Sequence, residues 1–187
     1  MNWLIFAIAA YLLLALETGL RTLLALPLLA DASPRLLLIL AVYVGMMAPA
    51  STVPWAFLAL GLLTDLQPGP ARDVILIGPA ALGYLVGAYV VLQLRAMVFR
   101  ESVLALSVLV LVGGIFVHLC WVALLTARGL PMLTHEPIVG WSAADQLVHR
   151  FLELLYTAVV AVPVGLVLFK VSPIWHFNHR SRADRHF

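Results

Sequence analysis

The chain has 187 residues, of which 64% are hydrophobic and only 11% are charged, and its formal net charge is +2. Its mean hydropathy is +1.06. Soluble domains carry about 25% charged residues, so this composition excludes a soluble protein. It indicates a polytopic membrane protein with no separate soluble domain. The small charge excludes a nucleic-acid binder, and the single cysteine, Cys120, excludes an internal disulfide.

The first apolar run predicts a helix from Trp3 to about Leu29. We expect it to be retained, because it has neither the basic leader nor the small-residue cleavage site of a signal peptide. Glu17 and Arg21 stand four residues apart on one face of this helix. The pair either neutralises itself within the helix or contacts a partner helix.

Two short apolar runs follow, separated by turns that contain proline. They predict a second helix from about Leu36 to Ala48 and a third from about Trp55 to Leu66. At about 1.5 Å per residue, the third is roughly 18 Å long, which is too short for a hydrocarbon core of ~30 Å. We therefore expect these helices to form a shallow hairpin packed among longer ones.

An acid and a tight turn end the third helix. Asp65 stands at the helix tip, and the Gln67-Pro68-Gly69-Pro70 turn cannot continue a helix. A carboxylate at a helix C-terminus opposes the helix dipole and needs a cation, and Arg72 is the nearest in sequence.

The fourth helix is predicted from about Val74 to Leu94, and it carries a strip of small residues: Ala80, Gly83 and Gly87. Such a strip lets helix backbones approach closely, and packing then supplies the attraction. The strip either packs inside the chain's own bundle or joins a second copy or another protein's helix.

The fifth helix is predicted from about Ser102 to Thr126, and we expect its His118 to be hydrogen-bonded within the bundle rather than to bind a metal. Ser142 and Asp145 predict an N-terminal cap of a sixth helix that runs to about Lys170. One face of that helix carries polar residues that lipid would not tolerate, so they should face protein or water. These residues are Gln146, His149, Arg150, Glu153 and Thr157.

The helices form one transmembrane domain over residues 1–171, and residues 172–187 are predicted to be a basic cytoplasmic tail. The tail either lies against anionic lipid headgroups, with Trp175 at the membrane interface, or is simply solvated. Six helices put both termini on one side of the membrane. Basic residues are in modest excess on that side, so we expect both termini in the cytoplasm.

This orientation places nearly all the intramembrane ionisable groups in the outer half of the bundle. We expect a polar cluster there, in which arginines offset the carboxylates. It either fixes the fold or docks another membrane or periplasmic protein. Its expected members are Glu17, Arg21, Asp65, Arg72, His149, Arg150 and Glu153.

The stretch around Asp65 resembles a known family. G-L-L-x-D-L at residues 61–66, a Pro/Gly turn and L-G-Y-L at residues 82–85 resemble the central signature of MreD, the rod shape-determining membrane protein. The charged Arg72-Asp73 pair departs from that signature. The motif residues carried over are Gly61, Asp65, Pro68, Gly69 and Gly83.

The resemblance implies a non-enzymatic scaffold without a cofactor in the bacterial inner membrane, as part of the cell-elongation complex. Family members work with the bitopic protein MreC, the actin-like MreB, and the glycosyltransferase RodA with its transpeptidase, and help to direct lateral peptidoglycan synthesis. MreC is the main partner expected, and a homodimer is a further option. The resemblance also implies an all-α fold like the six-helix substrate-binding subunits of vitamin transporters.

Two other functions have partial support in the sequence. A small-molecule-binding subunit of a vitamin-type transporter would need convergent polar groups, which the outer cluster could supply. An intramembrane metalloprotease would need two histidines on one helical face, but Val139 stands where H-E-x-x-H, begun at His135-Glu136, requires the second. His149 and Glu153 could ligate a metal, yet no third ligand is assigned. We therefore expect no catalysis and no metal.

Overall fold

The computed structural model describes residues 2–19, 33–67, 78–97, 102–128 and 142–175. Throughout these ranges the regular secondary structure is helical, and they contain no strand. The predicted all-helical class is therefore confirmed.

Six α-helices are present in the described ranges, which confirms the predicted number. A short 3₁₀ turn, Ser172–Trp175, follows the last of them. The helices are α1 (Trp3–Gly19), α2 (Leu36–Met47), α3 (Val53–Asp65), α4 (Pro79–Leu94), α5 (Val103–Arg128) and α6 (Ala143–Val171).

Two of these helices are long and apolar enough to cross a membrane by length and composition. They are α5, with 25 qualifying residues over Val103–Ala127, and α6, with 29 residues. The described parts of the other helices are shorter, from 12 residues in α2 to 17 in α1.

α2 lies at the centre of the bundle and contacts α1, α3, α4, α5 and α6. Its residues from Leu36 to Met46 are all buried. The sequence LLLILAVYVGMM is hydrophobic on every side, which is typical of a helix surrounded by protein or lipid. The predicted hairpin of α2 and α3 does pack among longer helices, but α2 is the axis of the whole bundle.

Glycines allow α3, α4 and α5 to pack backbone to backbone. A Cβ added to Gly61 would lie 2.6 Å from the Cα of Ala81, and one added to Gly83 would lie 2.7 Å from the carbonyl oxygen of Val117. Gly87 likewise approaches Val117. Gly83 and Gly87 of the small-residue strip therefore pack on α5 of the same chain, while Ala80 lies beside Gly61 of α3.

Helix starts follow the local sequence. Ser142 caps α6, because its side chain accepts a hydrogen bond of 3.3 Å from the N–H of Asp145, as predicted. α4 begins at Pro79, later than the predicted Val74. Gly78 has a φ of 128°, a conformation that glycine adopts readily and that interrupts any helix running through it.

Trp175 belongs to the core and not to an interfacial tail. Its side chain is 1% exposed and packs edge-on against Tyr43 of α2, with ring centroids 5.6 Å apart. The 3₁₀ turn returns the chain toward α2 and places the indole there. The helical domain thus extends past residue 171, and residues 176–187 of the predicted tail lie outside the described ranges.

Candidate functional site

Polar side chains on or next to five helices, α1, α2, α3, α5 and α6, meet at one end of the bundle, where α3 ends and α4 begins. We call this the polar end and define it by Glu17, Arg35, Asp65, His118 and Glu153. Apart from Arg35, whose side chain is 17% exposed, each of these residues is buried. Side chains at this end bond to the starts of α2 and α4, so the network ties helix termini together.

Arg35, just before α2, is the centre of the network. Its Nη2 lies 3.2 Å from Oε2 of Glu153, and its Nη1 lies 3.8 Å from Oε1 of Glu17. Its backbone N–H donates to Oγ1 of Thr157 at 3.0 Å. The carboxylates of Glu17 and Glu153 are 5% and 3% exposed, so one guanidinium serves two buried charges that would each be costly alone.

Glu17 links α1 to the start of α2. Its Oε2 accepts a hydrogen bond of 3.1 Å from the N–H of Leu37, while Arg35, at the N-cap position of α2, makes no side-chain capping bond. The first N–H groups of a helix lack intrahelical acceptors, and the helix dipole favours a negative charge there. Gln67 donates to Oε1 of Glu17 at 3.4 Å, which adds the end of α3 to the joint.

Asp65 links α3 to α4 in the same way. Its carboxylate accepts hydrogen bonds from the N–H groups of Gly78 at 2.8 Å, Ala80 at 2.9 Å and Ala81 at 3.1 Å. These groups lie at the N-terminus of α4, whose dipole favours an anion. The positive partner of Asp65 in the described structure is therefore a helix start, and Arg72, the expected cation, lies outside the described ranges.

Arg150 of α6 is a second buried cation at the polar end. Its guanidinium carbon lies 3.4 Å from the ring centroid of Trp121, and its Nη1 lies 3.4 Å from Nδ1 of His118. A guanidinium only donates hydrogen bonds, so Nδ1 of His118 is the acceptor and Nε2 carries the proton. No carboxylate in the described ranges forms an ion pair with Arg150.

His149 reaches the network from its exposed side. Its Nε2 lies 3.4 Å from Oε1 of Glu153, and its side chain is 35% exposed. In the part of the chain that the structure describes, no three His, Cys, Asp or Glu side chains come close enough together to hold a metal ion.

The structure brings together Glu17, Glu153 and His149 from the predicted polar cluster. Arg150 lies beside them on His118, and Asp65 lies at the same end but bonds to α4. The predicted cluster members Arg21 and Arg72, and the motif residues Pro68 and Gly69, fall outside the described ranges.

Arg35 is the functional residue that sequence reasoning missed. In the sequence, Arg35 falls in the proline-containing turn before the second helix, where a charged residue needs no partner. The apolar run after Arg35 is the signal that could have found it. A buried apolar helix has no polar side chain of its own for its first N–H groups, so it needs an acid from another helix, and a buried acid needs a cation nearby.

Two cavities adjoin the network, and His118 lines both. The larger, of about 340 Å³, is an open apolar groove between α5 and α6 that includes Leu119, Val148 and Phe151. The smaller, of about 20 Å³, lies inside the polar end. Its polar lining consists of Arg35, Thr64, Tyr84, His118 and Arg150.

Comparisons with models of known families, with curated proteins and with solved structures found no match for this chain. The resemblance of residues 61–85 to the MreD signature therefore stays a prediction. Functional proposals rest on the motif residues and on the geometry around them.

Proposed function

We propose that this protein is a polytopic inner-membrane scaffold of the bacterial cell-elongation complex, a non-enzymatic member of the MreD family. The observation that carries the proposal is that two signature residues, Asp65 and Gly61, connect α3 to α4. Asp65 bonds to the start of α4, and Gly61 packs against Ala81, so the signature builds a rigid joint between two helices. A carboxylate held by three backbone N–H groups is suited to joining two helices, as a scaffold requires.

The outer surface supports a membrane setting. Large apolar side chains are exposed on α1, α5 and α6, including Tyr11 at 70%, Leu104 at 70% and Val159 at 67%. Each of these helices exposes several large apolar side chains, and soluble monomers rarely expose large apolar patches. Lipid would cover these side chains, while the ionisable groups lie inside the bundle, as the cost of charge in a membrane requires.

In the proposed orientation the polar end faces the extracytoplasmic side and both termini are cytoplasmic. Basic residues support this, because Arg95 and Lys170 lie at the helix ends opposite the polar end. Arg100, Arg180, Arg182 and Arg185 follow these ends in sequence and lie outside the described ranges. The polar end would then be the place where an extracytoplasmic or membrane partner meets the rigid joint.

Labelling of single cysteines tests the orientation. In a Cys120→Ala background, Leu66→Cys places a thiol at the polar end and Met97→Cys places one at the opposite end; the native side chains are 59% and 85% exposed. A membrane-impermeant maleimide should label Leu66→Cys in intact cells, and Met97→Cys only after permeabilisation. The reverse pattern would contradict the proposed orientation.

Co-purification tests the scaffold function. The full chain, extracted in mild detergent from its own membranes, should retain a bitopic MreC-like protein, and depletion of the chain should cost the cells their rod shape. Size-exclusion chromatography provides the control that the extracted protein is folded. A folded protein that retains no such partner, in cells whose shape does not depend on it, would refute the proposal.

The second candidate function is a small-molecule-binding subunit of a vitamin-type transporter. The groove between α5 and α6 favours this function. Its volume of about 340 Å³ lies within the usual range for ligand pockets, and its lining is apolar apart from His118. Mass spectrometry of the purified chain distinguishes the two functions. A vitamin present in stoichiometric amount would replace the scaffold proposal.

A further inference from the structure

Three buried nitrogen atoms at the polar end have no hydrogen-bond partner in the described part of the chain: Nε of Arg35, Nε2 of His118 and Nε of Arg150. All three residues line the same cavity of about 20 Å³. His118 is 8% exposed, so its N–H cannot turn to bulk solvent. Buried donors are nearly always paired in folded proteins, so three unpaired donors on residues that line one cavity indicate that the cavity takes a hydrogen-bond acceptor.

Charge around the cavity is distributed unevenly. Both carboxylates of the network, Glu17 and Glu153, lie within ion-pair distance of Arg35. The Arg150 guanidinium stacks on the ring of Trp121 and donates a hydrogen bond to the imidazole of His118. Both of these partners are uncharged. The side of the cavity formed by Arg150 and His118 is therefore positive and offers N–H donors.

The number of donors and the size of the cavity define the ligand class. A water molecule has two lone pairs and leaves one of three donors unpaired, whereas a spherical anion accepts from all of them. A volume of about 20 Å³ slightly exceeds the ~10–15 Å³ that one water needs, which suits a halide-sized ion and is too small for a phosphate or a lipid headgroup. The hydroxyls of Thr64 and Tyr84 complete the polar lining.

We propose that this cavity is a binding site for a small monovalent anion such as chloride, held by Arg35, His118 and Arg150. The bound ion joins the start of α2 to α5 and α6 and offsets the charge of Arg150. The site is independent of the proposed scaffold function, because anion binding needs no partner protein.

Bromide is the probe, because it quenches tryptophan fluorescence on contact and Trp121 stacks on Arg150. The purified full chain in detergent is titrated with bromide, which replaces gluconate at constant ionic strength. A saturable quenching component that chloride competes away is expected. Arg150→Gln should raise the half-saturating bromide concentration by about tenfold, the usual effect of losing one hydrogen bond from a charged donor.

Arg95→Gln is the matched control, since Arg95 lies at the opposite end of α2 and donates to the carbonyl oxygens of Gly45 and Ala48. It should leave the half-saturating concentration unchanged. Quenching that is linear in bromide, insensitive to chloride and equal in Arg150→Gln would overturn the proposal and leave a water molecule as the occupant.

Two further variants keep the test decisive if Arg150→Gln does not fold. Tyr84→Phe removes one hydroxyl from the lining and keeps the ring that packs on Phe57, so half-saturation should rise about threefold, and an unchanged value counts against the site. Trp121→Phe should lose the saturable quenching yet keep a chloride-dependent rise in melting temperature. Saturable quenching that survives in Trp121→Phe would place the bound ion elsewhere and overturn the assignment.

Discussion

Two arginines, Arg35 and Arg95, lie at opposite ends of α2, and the helix uses them differently. At the N-terminal end, the carboxylate of Glu17 accepts from the N–H of Leu37, and Arg35 holds that carboxylate in place. At the C-terminal end, Arg95, which directly follows α4, donates to the carbonyl oxygen of Ala48 at 2.8 Å. Each end of this apolar helix thus receives, from another helix, a charge of the sign that its dipole favours.

The difference between the two ends lies in what a substitution would leave behind. Without Arg95, α2 would keep carbonyl groups that need another donor. Without Arg35, two buried carboxylates on α1 and α6 would lose the cation between them, and an uncompensated buried charge costs more than an unpaired carbonyl. The polar end should therefore behave as one coupled network, and the opposite end as separate local bonds.

The largest predicted effect is that of Arg35→Met. We expect a loss of about 3–5 kcal/mol in the free energy of unfolding, because Glu17 and Glu153 stay buried without the cation that lies between them. Arg95→Met is the control at the other end and should cost about 1–3 kcal/mol. Both values can be measured by unfolding the detergent-solubilised protein with increasing SDS. Equal losses for the two variants would break the distinction between the ends.

The next effect concerns the joint between α3 and α4. Asp65→Ala leaves the N–H groups of Gly78, Ala80 and Ala81 without their acceptor, and we expect a loss of about 3 kcal/mol. Asp65→Asn keeps one carbonyl oxygen and should cost about 1 kcal/mol. The same SDS titration measures both. If the two variants lost the same amount, the carboxylate bonds to α4 would not be what stabilises the joint.

A smaller effect is expected where α3 packs on α4 without charge. Gly61→Ala forces a Cβ to within 2.6 Å of the Cα of Ala81, and this overpacking should cost about 2 kcal/mol. Gly19→Ala is the matched control, since nothing lies within 4 Å of the added Cβ. Thermal unfolding of both variants, followed by circular dichroism, tests the difference. A neutral Gly61→Ala would mean that the helices can separate without penalty.

The elements that the sequence predicts well are those determined by local pattern. Apolar runs broken by Pro, Gly and charge locate α2, α3 and α5 to within two residues, and Ser142 with Asp145 locates the start of α6. The predicted end of the first helix near Leu29 lies outside the described ranges. The apolar sequence of α2 also indicates burial, although its short length suggested only part of a hairpin.

The rest depends on contacts between residues far apart in sequence. Arg35 is 118 positions from Glu153, so no local pattern could pair them. The partner of Asp65 is a helix start whose position depends on the conformation of Gly78. Trp175 follows the last helix as an interfacial residue would, and only the fold shows that the 3₁₀ turn buries it against Tyr43.

The most direct test of the network is a double-mutant cycle of Arg35→Met and Glu153→Gln, with unfolding free energies measured in one detergent mixture. Neutralising Glu153 should relieve part of the damage done by removing Arg35, so the double variant should lose about 2 kcal/mol less than the sum of the single losses. A double loss that equals the sum within about 0.5 kcal/mol would contradict a charge network centred on Arg35.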